Sequence, residues 1–207
     1  MRKSHRLVLL FSLIVMLGGA QIKASTEISK RLELSTEDKR LIDEYNKILQ
    51  HLTSGNEEKF LQELNYFLPK VEKIKNNKEK NNILMNIYIQ QKQYKKAYDL
   101  NNKLLKNTLG DFNRHIFQCQ LLEIMDKPLT ETKKCYEILS LKIKDQIKNM
   151  PKNNSESLEN IFSYYVILYK AGHTEYAKEI QNLINSISDP EMKVKLQNHA
   201  NILLEED

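Results

Sequence analysis

The chain has 207 residues, with 32 Lys and Arg against 27 Asp and Glu, no Trp, five glycines and two cysteines. That length is enough for one domain with a real core. The formal charge of +5 suggests nucleic acid, but Arg2, Lys3, Arg6 and Lys23 all stand in the first 24 positions, where there is no acid. The remainder holds 28 basic and 27 acidic residues and lacks the basic excess that nucleic-acid binding requires.

Residues 1–24 read as a secretory signal peptide. A basic start is followed by an apolar run from Leu7 to Leu17, interrupted only by Ser12, and then by Gly18-Gly19-Ala20, with Ala24 as a second cleavage position. A run of roughly 11–14 apolar residues is too short to span ~30 Å of hydrocarbon, which takes about 20. No later stretch is long and apolar, so no stable membrane insertion is expected after cleavage. The expected compartment is the bacterial periplasm or the exterior. Residues 25–35 read as a flexible segment and 36–207 as a helical-repeat domain.

Apolar residues then recur at helical spacing. Leu41, Tyr45, Ile48 and Leu52 form one stripe, and Phe60, Leu64, Phe67 and Val71 the next. Ile83, Leu84 and Ile87 precede Tyr94, Ala97 and Leu104. Ile116, Cys119 and Leu122 precede Cys135, Leu139 and Ile143. Ile161, Tyr165 and Leu168 precede Ala177, Ile180 and Ile184, and Met192, Leu196 and Ala200 close the chain. Nothing alternates with period two, so the expectation is all-α, about nine helices. Gly55, Gly110 and Gly172 fall between stripes. Asn56, Asp111, Thr130 and Asp189 are expected N-caps, and Glu57, Glu58, Glu131 and Glu175 first-turn acids. Pro69 should kink its helix or end it early. Lys70 to Lys80 reads as a solvated connection. One residue early in each second helix recurs at Phe60, Ala97, Cys135 and Ala177, at intervals of 37, 38 and 42, which predicts antiparallel hairpins stacked in series.

Cys119 and Cys135 stand eight residues either side of Lys127, the expected midpoint of a helix turn. In an antiparallel pair both are ~12 Å from the turn and level with each other. An even cysteine count in an exported chain favours a disulfide. The rivals are a metal site recruiting His115, four residues before Cys119, and a Cys–His nucleophilic dyad. The first lacks the fourth ligand of structural zinc, and the second needs a thiol that an oxidising compartment removes. No phosphate loop, zinc-protease helix or serine elbow occurs, and His51, His115, His173 and His199 are scattered. No cofactor and no catalytic residues are expected.

The segment LMNIYIQQKQYKKAYDLNNKLL, Leu84 to Leu105, resembles a tetratricopeptide repeat through Leu84, Tyr88, Tyr94 and Ala97. Tyr164 to Ile184 is similar, with Ala-Gly in the turn, Ala177 at the small position and Pro190 at the repeat end. The resemblance implies a short solenoid whose first helices line a partner-binding groove. Carried over, its groove positions are Asn82, Asn86 and Ile89 in one repeat and Phe162, Val166 and Tyr169 in the other. The implied function is protein–protein binding, as a periplasmic adaptor or assembly factor of a pilus or secretion system, or else as an immunity protein against a periplasm-acting toxin.

Overall fold

A computed structural model describes residues 34–107, 111–148 and 154–204. The signal peptide, Gly110 and Pro151 lie outside the described residues, as does the segment before Leu34. The described residues form nine α-helices and no strand. These are α1 (Thr36–Thr53), α2 (Glu57–Val71), α3 (Asn77–Gln90), α4 (Tyr94–Leu105), α5 (Phe112–Ile124), α6 (Leu129–Lys148), α7 (Ser155–Ala171), α8 (Tyr176–Ser186) and α9 (Pro190–Leu204). The helices group into two compact units, α1–α4 and α5–α9.

Four hairpins share one turn. At each, a residue with positive φ follows the first helix: Gly55 (76°), Lys92 (57°), Asp126 (51°) and Gly172 (109°). Its amide bonds the carbonyl three residues back, and the next amide bonds the carbonyl five back. The longer bonds are Asn56 to His51 (2.8 Å), Gln93 to Tyr88 (2.7 Å), Lys127 to Leu122 (3.0 Å) and His173 to Leu168 (3.1 Å). This is the Schellman arrangement, which satisfies carbonyls that a helix end leaves orphaned. Only two of the four left-handed positions hold glycine. At the other two, Lys92 and Asp126 bear the strain of the Cβ.

The turns also reset the repeat register. Phe60, Ala97 and Ala177 each stand five residues after the left-handed one. In the third hairpin Pro128 lengthens the turn by a residue, and Thr132, 4% exposed, takes the place that the sequence reading gave to Cys135. Thr130 is not a cap either. Helix α6 starts at Leu129, and the amides of Glu131 and Thr132 bond the Pro128 carbonyl at 2.8 and 3.2 Å. Glu175 is the N-cap residue of α8 rather than part of its first turn. Pro69 sits in the last turn of α2, which ends two residues later; it removes the amide that would bond the Asn65 carbonyl, in keeping with an early end to the helix. Asn56, Asp111 and Asp189 cap as expected, joined by Ser35, Asn76 and Asn154.

In the first unit Phe60, Leu64, Phe67 and Val71 of α2 pack against Leu41, Tyr45 and Ile48 of α1 and against Ile83 and Ile87 of α3. Asp38, 2% exposed, fastens this unit. Its carboxylate accepts from the amides of Lys75 (2.8 Å) and Asn76 (3.3 Å), tying the start of α1 to the α2–α3 connection. The Lys75 amide chiefly holds the carboxyl below the usual carboxylate range. The connection expected to be solvated is therefore clamped, with Ile74 buried beneath it.

In the second unit α7 is central. Phe162 packs with Ile180 and Ile184 of α8 and with Met192, Leu196 and Ala200 of α9. Ile167, on another side, packs with Ile116 and Cys119 of α5 and with Tyr136, Leu139 and Ile143 of α6. Glu123 joins three helices: the Tyr136 hydroxyl donates to it at 3.1 Å, and Lys170 approaches it at 3.3 Å. Lys195 of α9 donates to Glu159 of α7 at 2.7 Å.

Gly172 gives a sharp test of this packing. A Cβ there would lie 3.3 Å from Lys133 Nζ, at a φ that L-residues rarely adopt. A Cβ at Gly55 would meet nothing within 4 Å. Gly55→Ala should cost about 1 kcal/mol from backbone strain alone, and Gly172→Ala about 1–2 kcal/mol. In denaturant titrations, Lys133→Ala should recover part of the loss in Gly172→Ala and none in Gly55→Ala.

Candidate functional site

The six groove positions implied by the repeat resemblance do not form one open surface. Asn82 is exposed and Asn86 half-buried, one turn apart on α3. The Asn86 side-chain carbonyl has no hydrogen-bond partner among the described residues. Ile89, however, is 5% exposed. The apolar positions Ile83, Leu84, Ile87 and Ile89 spread round α3, so the helix is covered on more than one side and Ile89 belongs to the interior. Phe162 is buried, and Val166 and Tyr169 pack partly buried against the same α8–α9 cluster. All three contribute to the core of the second unit, Phe162 most completely.

Cys119 and Cys135 are joined by a disulfide, with Cα atoms 5.6 Å apart. It links α5 to α6, as their symmetry about the turn predicted. Both sulfurs are consumed, so neither is a thiolate for a metal or a nucleophile, and the roles considered with His115 fall away. Among the described residues no three His, Cys, Asp or Glu side chains are grouped to hold a metal.

The most varied side-chain chemistry on the described surface gathers where the α7–α8 turn meets α6. Glu137 Oε2 lies 2.9 Å from His173 Nε2, and His173 Nδ1 is 3.7 Å from Glu175. The rings form a chain: His173 is edge-on to Tyr176 at 6.4 Å, Tyr176 lies 5.4 Å from Tyr165, and Tyr165 lies 6.3 Å from Tyr164. All three tyrosines are half-buried. Burial chiefly raises the Tyr164 phenol, helped by Tyr176 and Glu137. Burial also raises that of Tyr165, helped by Glu179 and Tyr176.

Helix α6 extends this patch. Leu141 stands one turn beyond Glu137 on α6. Leu141 is 62% exposed and its neighbour Ile138 47%. The three rings, His173, Glu137 and Glu175 make one surface, and exposed aliphatic side chains stand near Glu137 on α6. It can bind by contact, but it holds no paired nucleophile and base.

In the sequence Tyr164 only begins the second repeat-like segment, and Tyr165 belongs to an apolar stripe. His173, Tyr176, Glu137 and Leu141 were missed as site residues, because they converge only once the hairpin register is set. A second concavity, about 270 Å³, lies between α1 and α2 and is lined by Glu44, Lys47, Glu63, Tyr66 and Lys70. Lys70 pairs with Glu44 across it, and Glu63 meets His51 and Lys59. No described helix is long and apolar enough to cross a membrane. No protein family, curated protein or solved structure matches the chain.

Proposed function

We propose that this chain is an exported, non-catalytic protein-binding module, built of tetratricopeptide-like hairpins, that works as an adaptor or assembly factor in the bacterial envelope, as in a pilus or secretion machine. The observation that carries the reading is the surface of Tyr164, Tyr165, Tyr176 and Leu141. Tyrosine edges beside exposed aliphatic side chains are the composition of interface cores, where rigid rings bury much area for little lost side-chain freedom. Two features support the compartment: the basic, apolar and small-residue order of residues 1–24 and the oxidised cysteine pair.

Site-specific photo-crosslinking tests it. A benzophenone side chain at position 141 should capture a defined envelope protein in intact cells. The same probe at position 194, where Val194 is 60% exposed on α9, should not. Absence of any protein adduct at 141, or the same adducts at both positions, would remove the assignment.

A further inference from the structure

The same surface carries information about what it binds. Two tyrosines of the first unit lie under the protein's own cations: Lys95 is 5.5 Å from the Tyr98 ring centre and Lys96 5.7 Å from that of Tyr88. Among the described residues no such cation lies over Tyr164, Tyr165 or Tyr176. Carboxylates surround them instead. Glu137 acts on Tyr164, Glu179 acts on Tyr165, and Glu175 stands beside His173. An aromatic face is negative at its centre, so rings edged by carboxylates form a site of cation-attracting potential. At its border Lys170 is paired with Glu123, while the Lys133 ammonium lies along Gly172.

We propose that the α6–α8 surface receives an arginine side chain of the protein partner, its guanidinium laid over the tyrosine rings and bonded to Glu137 or Glu179, with an apolar neighbour of that arginine on Ile138 and Leu141. This rests on the protein-binding reading above and names the chemistry of the partner. Arginine fits better than lysine. A planar guanidinium stacks on a ring while its edge donates two parallel bonds to a carboxylate, and it is more weakly hydrated than an ammonium. The face is too shallow to enclose a compact ammonium on all sides, but a flat group needs only one ring and one carboxylate in its plane.

The test uses two small probes, Nα-acetyl-arginine amide and its neutral citrulline counterpart, which are nearly the same shape. With tyrosine rings isotopically labelled in the whole oxidised protein, arginine amide should shift the ring signals of Tyr164, Tyr165 and Tyr176, and citrulline amide should not. Glu137→Gln and Glu179→Gln should each weaken arginine binding about two- to fivefold. The melting temperatures of both variants show whether they remain folded. Equal shifts from both probes, or shifts confined to other tyrosines such as Tyr98, would overturn the proposal. The outcomes separate from the function reading. If the probe at position 141 captures a protein while arginine amide leaves the three rings unmoved, the arginine assignment falls and the binding module stands. If arginine amide shifts the rings while position 141 captures nothing, the binding-module reading fails and the cation-attracting surface remains.

Discussion

Replacing both Cys119 and Cys135 with alanine should cost the second unit about 3 kcal/mol, the value expected when a loop of this length loses its cross-link. The two cysteines are 16 residues apart in sequence. For a unit of this size the loss should lower the melting temperature by roughly 10–20 °C. Alanine is preferable to serine because Cys119 is 1% exposed among Ile116, Tyr136 and Leu139, where a hydroxyl would lack a partner. Calorimetry with and without reductant checks the result. Reductant should bring the parent protein down towards the double variant and leave the variant unchanged. A parent protein whose melting is indifferent to reductant would show that the bridge does not stabilise the fold.

A loss of similar size is expected in the first unit from Phe67→Ala. Phe67 is 1% exposed, and its ring centre lies 5.7 Å from that of Tyr45. Removing it abandons both its own burial and the aromatic pair, which amounts to about 3–5 kcal/mol for a phenylalanine in a core that cannot collapse around the gap. Phe67→Leu should lose less than half as much. Tyr45→Phe should go the other way or change nothing. The Tyr45 hydroxyl is buried without a hydrogen-bond partner among the described residues, so deleting it removes a desolvation cost and no bond. Urea unfolding of the three variants checks the order. A destabilising Tyr45→Phe would mean that the hydroxyl has a partner, such as a buried water.

The all-helical architecture was legible because burial on one face leaves a 3.6-residue rhythm, and α1, α2 and α8 carry it plainly in Leu41–Tyr45–Ile48, Phe60–Leu64–Phe67 and Ile180–Ile184. The disulfide was legible because hairpin symmetry turns sequence distance into spatial level. The first-helix surfaces were not legible. Helices α3 and α7 are apolar on more than one side, and periodicity does not say which side meets solvent. Ile89 and Phe162 were therefore expected in a groove and lie in the interior. Turn chemistry hid the register in a similar way. Lys92 and Asp126 adopt the backbone expected of glycine, so only Gly55 and Gly172 announced their turns. The third turn is one residue longer than the others, which puts its small position at Thr132, three residues before the Cys135 expected from the sequence. The tyrosine surface depends on α6 meeting the α7–α8 turn, a long-range contact that no local pattern encodes.

The four Schellman turns have a consequence for how quickly the protein reaches its structure. Each closes with hydrogen bonds spanning three and five residues, so a helix pair reverses direction using only its own neighbourhood. Little chain entropy is lost before stabilising contacts form, because the loops being closed are short. Proteins dominated by such local contacts refold in microseconds to milliseconds, where sheet proteins of similar size take up to seconds. A chain that folds this fast leaves its apolar stripes open to wrong partners only briefly, and brings Cys119 and Cys135 level with each other early, so that the cross-link follows the hairpin rather than directing it.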